Sequence, residues 1–175
     1  MRIRDSPVDI LHDGFDCVIR TGALPEDGVI ARPLGKLTMV NCASPHYLTR
    51  FGYPQSPDDL TSHAIVRYTP HLGVHPLGFE VASVNGVQWF KSGGMLTVNS
   101  SENYLAAGLA GLGIIQIPRI AVREALRAGR LIEVLPGYRA EPLSLSLVYP
   151  QRRELSRRVN LFMQWLAGVM KEHLD

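Results

Sequence analysis

The chain lacks the features that mark secreted and membrane-spanning proteins. It has two cysteines, Cys17 and Cys42, and each lies in an apolar stretch. Buried free thiols in a reducing compartment are the default expectation, and a disulfide between adjacent strands is left open. No apolar run approaches the roughly 20 residues of a membrane span, and residues 1–7 contain no apolar signal region. The sequence therefore predicts a cytoplasmic protein.

Motifs of catalysis and cofactor binding are also scarce. The sequence contains no Gly-x-Ser-x-Gly elbow and no Ser-x-x-Lys, and its carboxylates are scattered, so no acid/base pair stands out. Gly111 and Gly113 lack the third glycine and the acidic residue of a dinucleotide site. His71 and His75 lie among proline and glycine residues without a third metal ligand. The sequence therefore predicts no enzyme, no metal and no cofactor.

The chain does have enough apolar sequence for a packed core. Its 175 residues are 46% hydrophobic and 19% charged, with a net charge of +2. These values predict one ordinary domain or two small lobes rather than disorder. The basic excess is concentrated in Arg152, Arg153, Arg157 and Arg158. A solvated helix face is favoured over a nucleic-acid patch, because no aromatic residues are interleaved.

Residues 95–134 are the most informative stretch, because strand and helix patterns alternate there. The predicted elements are a strand at 95–98, a helix to 110, a strand at 114–117, a helix from Pro118 and a strand at 131–135. Asn99 is predicted to cap the first helix, with Glu102 closing a capping box. Gln116 interrupts an apolar strand and needs a partner, which we expect to be backbone rather than ligand.

The remaining sequence predicts one lobe inserted into another. The predicted elements are a helix at 6–14, strands at 15–20, 29–34 and 36–43, a helix at 44–51, a helical turn at 54–60, a strand at 64–68, a hairpin at 79–90 around Asn85-Gly86, a strand at 143–149 and a helix from about Glu154. Helices and strands alternate, so the fold class is α/β. Residues 1–37 and 143–175 are too few for separate cores and are predicted to form lobe one together. Residues 38–142 form the inserted lobe two.

Polar residues follow one apolar strand near the start of the chain. Ligands of open α/β sheets bind at the carboxyl ends of strands, against helix N-termini. Arg20, Thr21 and Gly22 occupy such an end, and a guanidinium can bind a carboxylate through two hydrogen bonds. The alternative is that Arg20 pairs with Asp16 or Asp27 and that Gly22 serves only the turn.

A second group of polar residues is predicted in lobe two. Asn99, Ser100 and Ser101 begin a helix, where capping alone stabilises by about 1 kcal/mol. They are also candidates to donate hydrogen bonds to an acidic ligand. Tyr68 and Thr69 end a strand of the same lobe and should open onto the same cleft, unless they form an ordinary turn.

A series of short motifs is spread over nearly the whole chain, from about Pro7 to Leu166. In chain order they are Asp13-Gly14-Phe15-Asp16-Cys17-Val18-Ile19-Arg20-Thr21-Gly22, Ala31-Arg32-Pro33-Leu34, Cys42-Ala43-Ser44-Pro45-His46-Tyr47-Leu48, Asp59-Leu60-x-x-His63, Ala107-Gly108-Leu109-Ala110-Gly111-Leu112-Gly113-Ile114 with Pro118, Gly129-Arg130-Leu131 with Leu135-Pro136, and Tyr149-Pro150 before Arg152-Arg153 and Phe162. Each motif is weak alone. Their order and spacing resemble the effector-binding domain of LysR-type transcriptional regulators.

The resemblance implies a two-lobed fold like that of type 2 periplasmic binding proteins. A small effector, with a carboxylate as one candidate class, would bind in the cleft between the lobes. Its binding would change how a dimer or tetramer sits on promoter DNA. The resemblance names neither the effector nor the direction of regulation. The competing interpretations are a solute-binding protein of a transporter, which needs an export signal, and an enzyme, which needs a titratable cluster in the cleft.

Members of this family begin with a winged helix-turn-helix, a linker helix and the first strands and helix of lobe one, and this sequence contains none of these. We therefore expect DNA contacts only through a domain outside this chain. We also expect an unpaired edge and exposed apolar surface on lobe one. The predicted consequence is self-association or low stability of the two terminal segments.

Overall fold

The computed structural model describes residues 10, 14–22, 28–69, 78–151 and 155–174. The strands are β1 (Val18–Thr21), β2 (Val29–Leu37), β3 (Met39–Ala43), β4 (Ala64–Tyr68), β5 (Phe79–Ser83), β6 (Gly86–Phe90), β7 (Gly93–Val98), β8 (Ile115–Pro118), β9 (Ile132–Glu133) and β10 (Leu143–Pro150). The α-helices are α1 (Pro45–Phe51), α2 (Ser101–Leu109), α3 (Arg119–Arg127) and α4 (Arg157–Met170), and 3-10 helices lie at Pro57–Ser62 and Lys171–His173. Within these ranges no helix is both long and apolar enough to span a membrane.

The chain divides into two compact units. The central unit contains Met39–Glu141, and the terminal unit contains the described residues of Pro7–Thr38 and Pro142–Asp175. The terminal unit has an antiparallel sheet of order β1-β10-β2, which is followed by α4. Its buried side chains are Leu145, Leu147, Val148 and Met163, among others.

The central unit combines small sheets with helices packed against them. Strand β3 lies between β8 and β9 in an antiparallel sheet, β4 pairs with β7 in parallel, and β5 pairs with β6 as a hairpin. Two apolar clusters fill the space between these elements, and their fully covered members include Val40, Tyr47, Leu60, Ile114 and Ile115.

A close backbone approach at Gly113 joins β4 to the chain that enters β8. The Ile114 N–H donates to the Ala64 carbonyl at 2.9 Å, and the Val66 N–H donates to the Ile114 carbonyl at 3.0 Å. Gly113 has a φ of 158°, and a Cβ there would lie 2.6 Å from the Ala64 oxygen. Only glycine therefore permits this contact, which fixes β4 beside the sheet that supports α2.

The predicted order of elements in residues 95–134 is confirmed, since β7, α2, β8, α3 and β9 follow one another. The predicted break at Gly35 is wrong, because β2 continues through it while paired with β10. Pro33 lies opposite Ser146 and Gly35 lies opposite Leu145, so the pairing skips one residue of β2. This local irregularity on an edge strand allows both the proline and the glycine to remain within the strand.

Two further boundaries differ from the prediction by a few residues. Helix α4 begins after Ser156, whose Oγ accepts a hydrogen bond from the Val159 N–H at 3.4 Å, rather than near Glu154. The hairpin turn contains Val84 and Asn85, and Gly86, with a φ of 104°, is already the first residue of β6. The glycine is thus needed just after the turn rather than inside it.

The predicted buried stripe of α4 is only partly correct. Among Val159, Phe162, Met163, Leu166, Val169, Met170 and Leu174, only Met163 is fully buried, while Phe162 and Val169 are exposed. Apolar residues lie around much of the circumference of α4, and the terminal unit buries only part of them. Arg157 and Arg158 are exposed in its first turn. Arg152, Arg153 and most of the predicted first helix lie outside the described residues.

Both cysteines are free thiols in this structure, so the disulfide left open by the sequence is not formed. Cys42 is fully buried on β3, whereas Cys17 is half-buried just before β1. Burial, together with the smaller effect of the Glu133 carboxylate, raises the pKa of the Cys42 thiol to about 12. Cys42 is therefore a protonated core residue.

Candidate functional site

The parallel pairing of β4 and β7 brings five of the predicted site residues to one end of two strands. Tyr68 lies opposite Val98 in the register, and the Thr69 N–H donates to the Val98 carbonyl at 2.9 Å. The chain after β4 and the chain after β7 therefore leave the sheet side by side. The residues brought together are Tyr68, Thr69, Asn99, Ser100 and Ser101, and all belong to the central unit.

Ser100 is the N-cap of α2, so the prediction that Asn99 caps this helix is wrong by one residue. Ser100 has an extended backbone (φ −123°, ψ 132°), and its Oγ accepts a hydrogen bond from the Asn103 N–H at 3.5 Å. Asn103, not Glu102, therefore occupies the third helical position, so no capping box with Glu102 forms. Glu102 still lies in the first turn, where its charge interacts favourably with the helix dipole.

The two residues that end β4 have different environments. Thr69 is 5% exposed, whereas the ring of Tyr68 is at the surface and lies against Tyr104 of α2, with 5.7 Å between the ring centroids. Tyr68 therefore provides an apolar and partly exposed face beside the helix entrance. Thr69 belongs to the packed interior next to it.

Tyr104 fixes α2 on the sheet. Its hydroxyl accepts a hydrogen bond from the Gln116 N–H at 2.8 Å and donates to the Gln116 carbonyl at 3.2 Å. Burial raises the pKa of Tyr104 well above its usual range, so the phenol stays neutral. The helix entrance is thus held by a neutral hydrogen-bonded contact rather than by a titratable one.

Gln116 has partners inside the protein, and the prediction that they include backbone is confirmed. Its Nε2 donates to the Glu80 carbonyl at 2.8 Å and to the Asn41 Oδ1 at 2.9 Å, and its Oε1 accepts from the Glu80 N–H at 3.3 Å. Asn41 is fully buried and donates to the carbonyls of Leu135 and Tyr138. This network joins β3, β5 and β8 through partners inside the protein.

The structure places Arg20, Thr21 and Gly22 in the terminal unit, whereas the other five belong to the central unit. Arg20 and Thr21 belong to β1, opposite Ser146 and Leu145 of β10. Gly22 follows the strand, with a φ of 78° and its N–H donating to the Ser144 carbonyl at 3.0 Å. Asp27, one of the alternative partners of Arg20, lies outside the described residues.

One buried polar contact had no counterpart in the sequence analysis. The Nδ1 of His63 lies 3.0 Å from the Tyr47 hydroxyl, which also accepts a hydrogen bond from the Ala64 N–H at 2.9 Å. Burial lowers the pKa of His63, and the nearby Asp59 carboxylate opposes that shift. The sequence shows His63 as an isolated histidine, so only the fold could reveal this contact. It joins α1 to the start of β4.

Two grooves of the central unit contain no predicted site residue. One has a volume of about 440 Å³, and the other about 360 Å³. They share Gly137 and Tyr138, and their remaining lining comes mainly from residues 53–58, the β5–β6 hairpin and residues 133–136. Within the described ranges no group of three or more His, Cys, Asp or Glu side chains could hold a metal ion. His71 and His75 lie outside those ranges.

Comparison with known proteins gives the family. Residues 2–171 match the model of the LysR substrate binding domain. The chain is 98% identical over 171 residues to the HTH-type transcriptional regulator YhjC of Escherichia coli strain K12, covering 98% of this chain and 57% of that protein. It is 34% identical over 167 residues to the HTH-type transcriptional repressor PA14_22550 of Pseudomonas aeruginosa, covering 94% of this chain and 52% of that protein.

Solved structures agree on the fold. The regulatory domain of CrgA, a LysR-type transcriptional regulator from Neisseria meningitidis, superposes with a TM-score of 0.80 at 24% identity, covering 93% of this chain and 78% of that one. The chain therefore has the α/β two-lobed fold that was predicted. Its relatives are transcriptional regulators, which favours that interpretation over the transporter protein. The chain spans little more than half the length of the relatives it matches. It belongs to the LysR substrate binding domain family.

Proposed function

We propose that this chain senses a small-molecule effector for a LysR-type transcriptional regulator, and that it binds the effector without catalysing a reaction on it. The observation that carries the proposal is the parallel pairing of β4 and β7, which brings Tyr68 and Thr69 beside the entrance of α2. Strand ends beside a helix N-terminus are the usual ligand position in open α/β sheets. This arrangement supports effector binding at Tyr68, Thr69, Asn99, Ser100 and Ser101.

The chemistry of this entrance favours a ligand with hydrogen-bond acceptors and an apolar body. Hydroxyl and amide groups at residues 99–101 can donate, and the helix dipole favours negative charge. Glu102 in the first turn reduces that preference, because its carboxylate already occupies the positive end of the dipole. The exposed ring of Tyr68 can pack against an apolar part. A small aromatic or aliphatic carboxylate is the class we propose.

Arg20, Thr21 and Gly22 are proposed as a second effector-binding group, and we test them separately because they belong to the terminal unit. The terminal and central units are proposed as lobes one and two, with the predicted boundaries at 1–37 with 143–175 and at 38–142. The effector would act by population shift, since it favours one conformation by its differential affinity for it. DNA binding would belong to a domain outside this chain, within a cytoplasmic homo-oligomer.

A thermal denaturation screen against small carboxylates, amino acids and aromatic acids tests the effector site. A ligand at one hundred times its dissociation constant adds about 2.7 kcal/mol to the unfolding free energy. The informative variants are Ser100→Ala, which removes a donor, and Ser100→Asp, which keeps a capping oxygen but repels an anion. Ser156→Ala is the matched control, because Ser156 caps α4 in the other unit in the same way.

A carboxylate should raise the melting temperature of the wild type and of Ser156→Ala. The rise should be smaller in Ser100→Ala and absent in Ser100→Asp. A ligand whose effect is the same in all four proteins would place the site away from the α2 entrance. Loss of its effect in Arg20→Ala alone would assign binding to the terminal unit instead.

A further inference from the structure

The β5–β6 hairpin has one closed edge and one open edge. It forms a sheet of two strands, and the outer edge of β5 is occupied. There the Glu80 N–H donates to the Gln116 Oε1 at 3.3 Å, and the Ala82 N–H donates to the Arg139 carbonyl at 2.8 Å. On the other side β6 is the last strand, and all of its residues are exposed or half-buried. Within the described residues, β6 is therefore the free edge of this hairpin.

The register shows which backbone groups of β6 point outward. In an antiparallel pair of strands, residues that exchange hydrogen bonds alternate with residues that do not. Glu80 and Ala82 use their N–H groups outside the hairpin, so the residues opposite them, Trp89 and Val87, also direct theirs away from β5. In the part of the chain that the structure describes, no backbone partner reaches the outward groups of Val87 or Trp89. Two N–H donors and two carbonyl acceptors therefore lie in one row along β6.

Strand β6 also lacks the features that usually protect a free edge. Natural proteins protect such edges with proline, charged side chains, bulges or covering elements. The outer strand β2 contains Pro33 and an irregular register, and the Tyr104 hydroxyl covers the outer edge of β8. Strand β6 has the sequence Gly-Val-Gln-Trp-Phe, without proline or charge, and Trp89 on it is 46% exposed. This edge is therefore suited to pairing with another strand.

We propose that β6 pairs antiparallel with β6 of a second copy of this chain, about a twofold axis at Gln88. Val87 then lies opposite Trp89 of the second copy, and the equivalent pair forms on the other side of the axis. Both pairs join outward groups, so two N–H donors and two carbonyls of each copy are satisfied in a single register. Each indole also lies against a β-branched side chain, which is a favourable cross-strand pair. The two hairpins thus form one continuous sheet.

The self-complementarity of β6 is the argument for a second copy as the partner. A twofold interface uses the same surface on both subunits, so each donor must face an acceptor of the same strand. Val87 and Trp89 are equally distant from Gln88 in the sequence, which meets that condition. Lys91 would lie opposite Asn85 of the second copy rather than opposite its own equivalent, so like charges stay apart. The interface belongs to the central unit and does not rest on effector binding.

Disulfide trapping tests the register directly. Gln88→Cys, in a Cys17→Ser background, places the two new thiols opposite each other in a non-hydrogen-bonded pair. The Cα atoms of such a pair are about 4.5 Å apart, which is within the range that a disulfide bridges. Val84→Cys in the same background is the matched control. Val84 is fully exposed in the turn of the same hairpin, but the proposed axis separates its two copies by more than about 20 Å.

Sedimentation velocity tests the intermolecular hydrogen bonds. The chain used also carries Leu161→Gln and Trp165→Gln, which replace exposed apolar residues of α4 and so limit association through that helix. Val87→Pro removes the outward N–H and leaves the bonds to β5 intact, because proline is tolerated on an edge strand where its nitrogen faces solvent. The dissociation constant of the dimer should rise at least about tenfold. Thermal denaturation verifies that the variant is folded.

Mild oxidation should link Gln88→Cys into dimers and leave Val84→Cys monomeric. Adding Val87→Pro to Gln88→Cys should slow the linkage. Equal linkage rates of Gln88→Cys and Val84→Cys would overturn the proposal, even if Val87→Pro does not fold. So would a dissociation constant that is the same with and without a folded Val87→Pro.

Discussion

The hydroxyl of Tyr104 occupies both backbone groups of a single residue, Gln116. It accepts from the N–H at 2.8 Å and donates to the carbonyl at 3.2 Å, at a position where the ring is buried. Strand β8 pairs with β3 on its other side, so this edge of Gln116 would otherwise lack a partner. One side chain of α2 therefore takes the place of a neighbouring strand.

Replacing Tyr104 by phenylalanine should be costly, although the change is only one oxygen atom. It leaves the N–H and carbonyl of Gln116 buried and unsatisfied, which costs about 1–3 kcal/mol per group left unpaired. Urea denaturation should show a clearly lower unfolding free energy for Tyr104→Phe. Tyr53→Phe is the control, because Tyr53 is exposed and the change should stay within about 0.5 kcal/mol. Equal stability of the two variants would mean that water replaces the hydroxyl.

Stability should fall as the pH decreases below the ordinary pKa of histidine, 6.5. His63 is 5% exposed, and burial lowers its pKa in the folded state despite the opposing charge of Asp59. The unfolded chain therefore takes up a proton in a pH range where the folded chain does not, so acid favours unfolding. The lost stability extends from about pH 6.5 down to the lowered pKa.

His63→Gln tests this, since glutamine can still bond to Tyr47 but does not titrate. Urea denaturation of the wild type between pH 7.5 and 5.5 should show a stability loss that is reduced in His63→Gln. His46→Gln is the matched control, because His46 is an exposed histidine of the same unit. If His46→Gln flattens the pH dependence as much as His63→Gln does, the buried histidine is not its source.

The two thiols should differ in reactivity. Cys42 is fully buried, and its pKa is raised to about 12, so almost no thiolate is available. Cys17 is half-buried, and burial together with Asp16 also raises its pKa, so it should react slowly but measurably. With a disulfide reagent at pH 8, we expect one thiol to react in the native protein and the second only in urea. Cys17→Ser should remove the native reaction, whereas persistent native labelling of that variant would show that β3 opens.

The exposed apolar surface of α4 should cause self-association. Trp165 is 62% exposed, and Leu161, Phe162 and Val169 on the same side of the helix are also exposed. Contiguous exposed apolar side chains favour contacts with other molecules. Sedimentation velocity should show association that increases with concentration and that decreases in Trp165→Gln with Leu161→Gln. Gln164→Ala, on the same helix, is the control, and a monodisperse monomer at all concentrations would contradict the expectation.

The sequence predicted the α/β class and the order of elements well, because turn and capping residues mark most boundaries. Ser44-Pro45 begins α1 and Gly52 ends it, as predicted. Local patterns were less informative where two signals overlapped. Both Asn99 and Ser100 can cap a helix, and only the end of β7 at Val98 decides that the second does so.

Features that depend on distant partners could not be predicted. Nothing in the sequence pairs Tyr47 with His63, or Arg67 with Ser92, because these contacts arise from the arrangement of α1, β4 and β7. Periodicity likewise predicted one buried stripe on α4, whereas the extent of burial depends on what covers the helix. Tyr68 and Ser100 were predicted as effector residues because they lie where predicted strands end, and strand ends can be recognised from the local sequence.

The Tyr104–Gln116 contact attaches α2 to a wider hydrogen-bond network in its unit. Gln116 is bonded to Asn41 and to the backbone of Glu80, and Asn41 is bonded in turn to the loop carbonyls of Leu135 and Tyr138. Displacing the helix would break both hydrogen bonds between Tyr104 and Gln116. The proposed effector would therefore meet, at the helix entrance, a surface that is bonded to the strands behind it, so complementarity of shape would be part of its recognition.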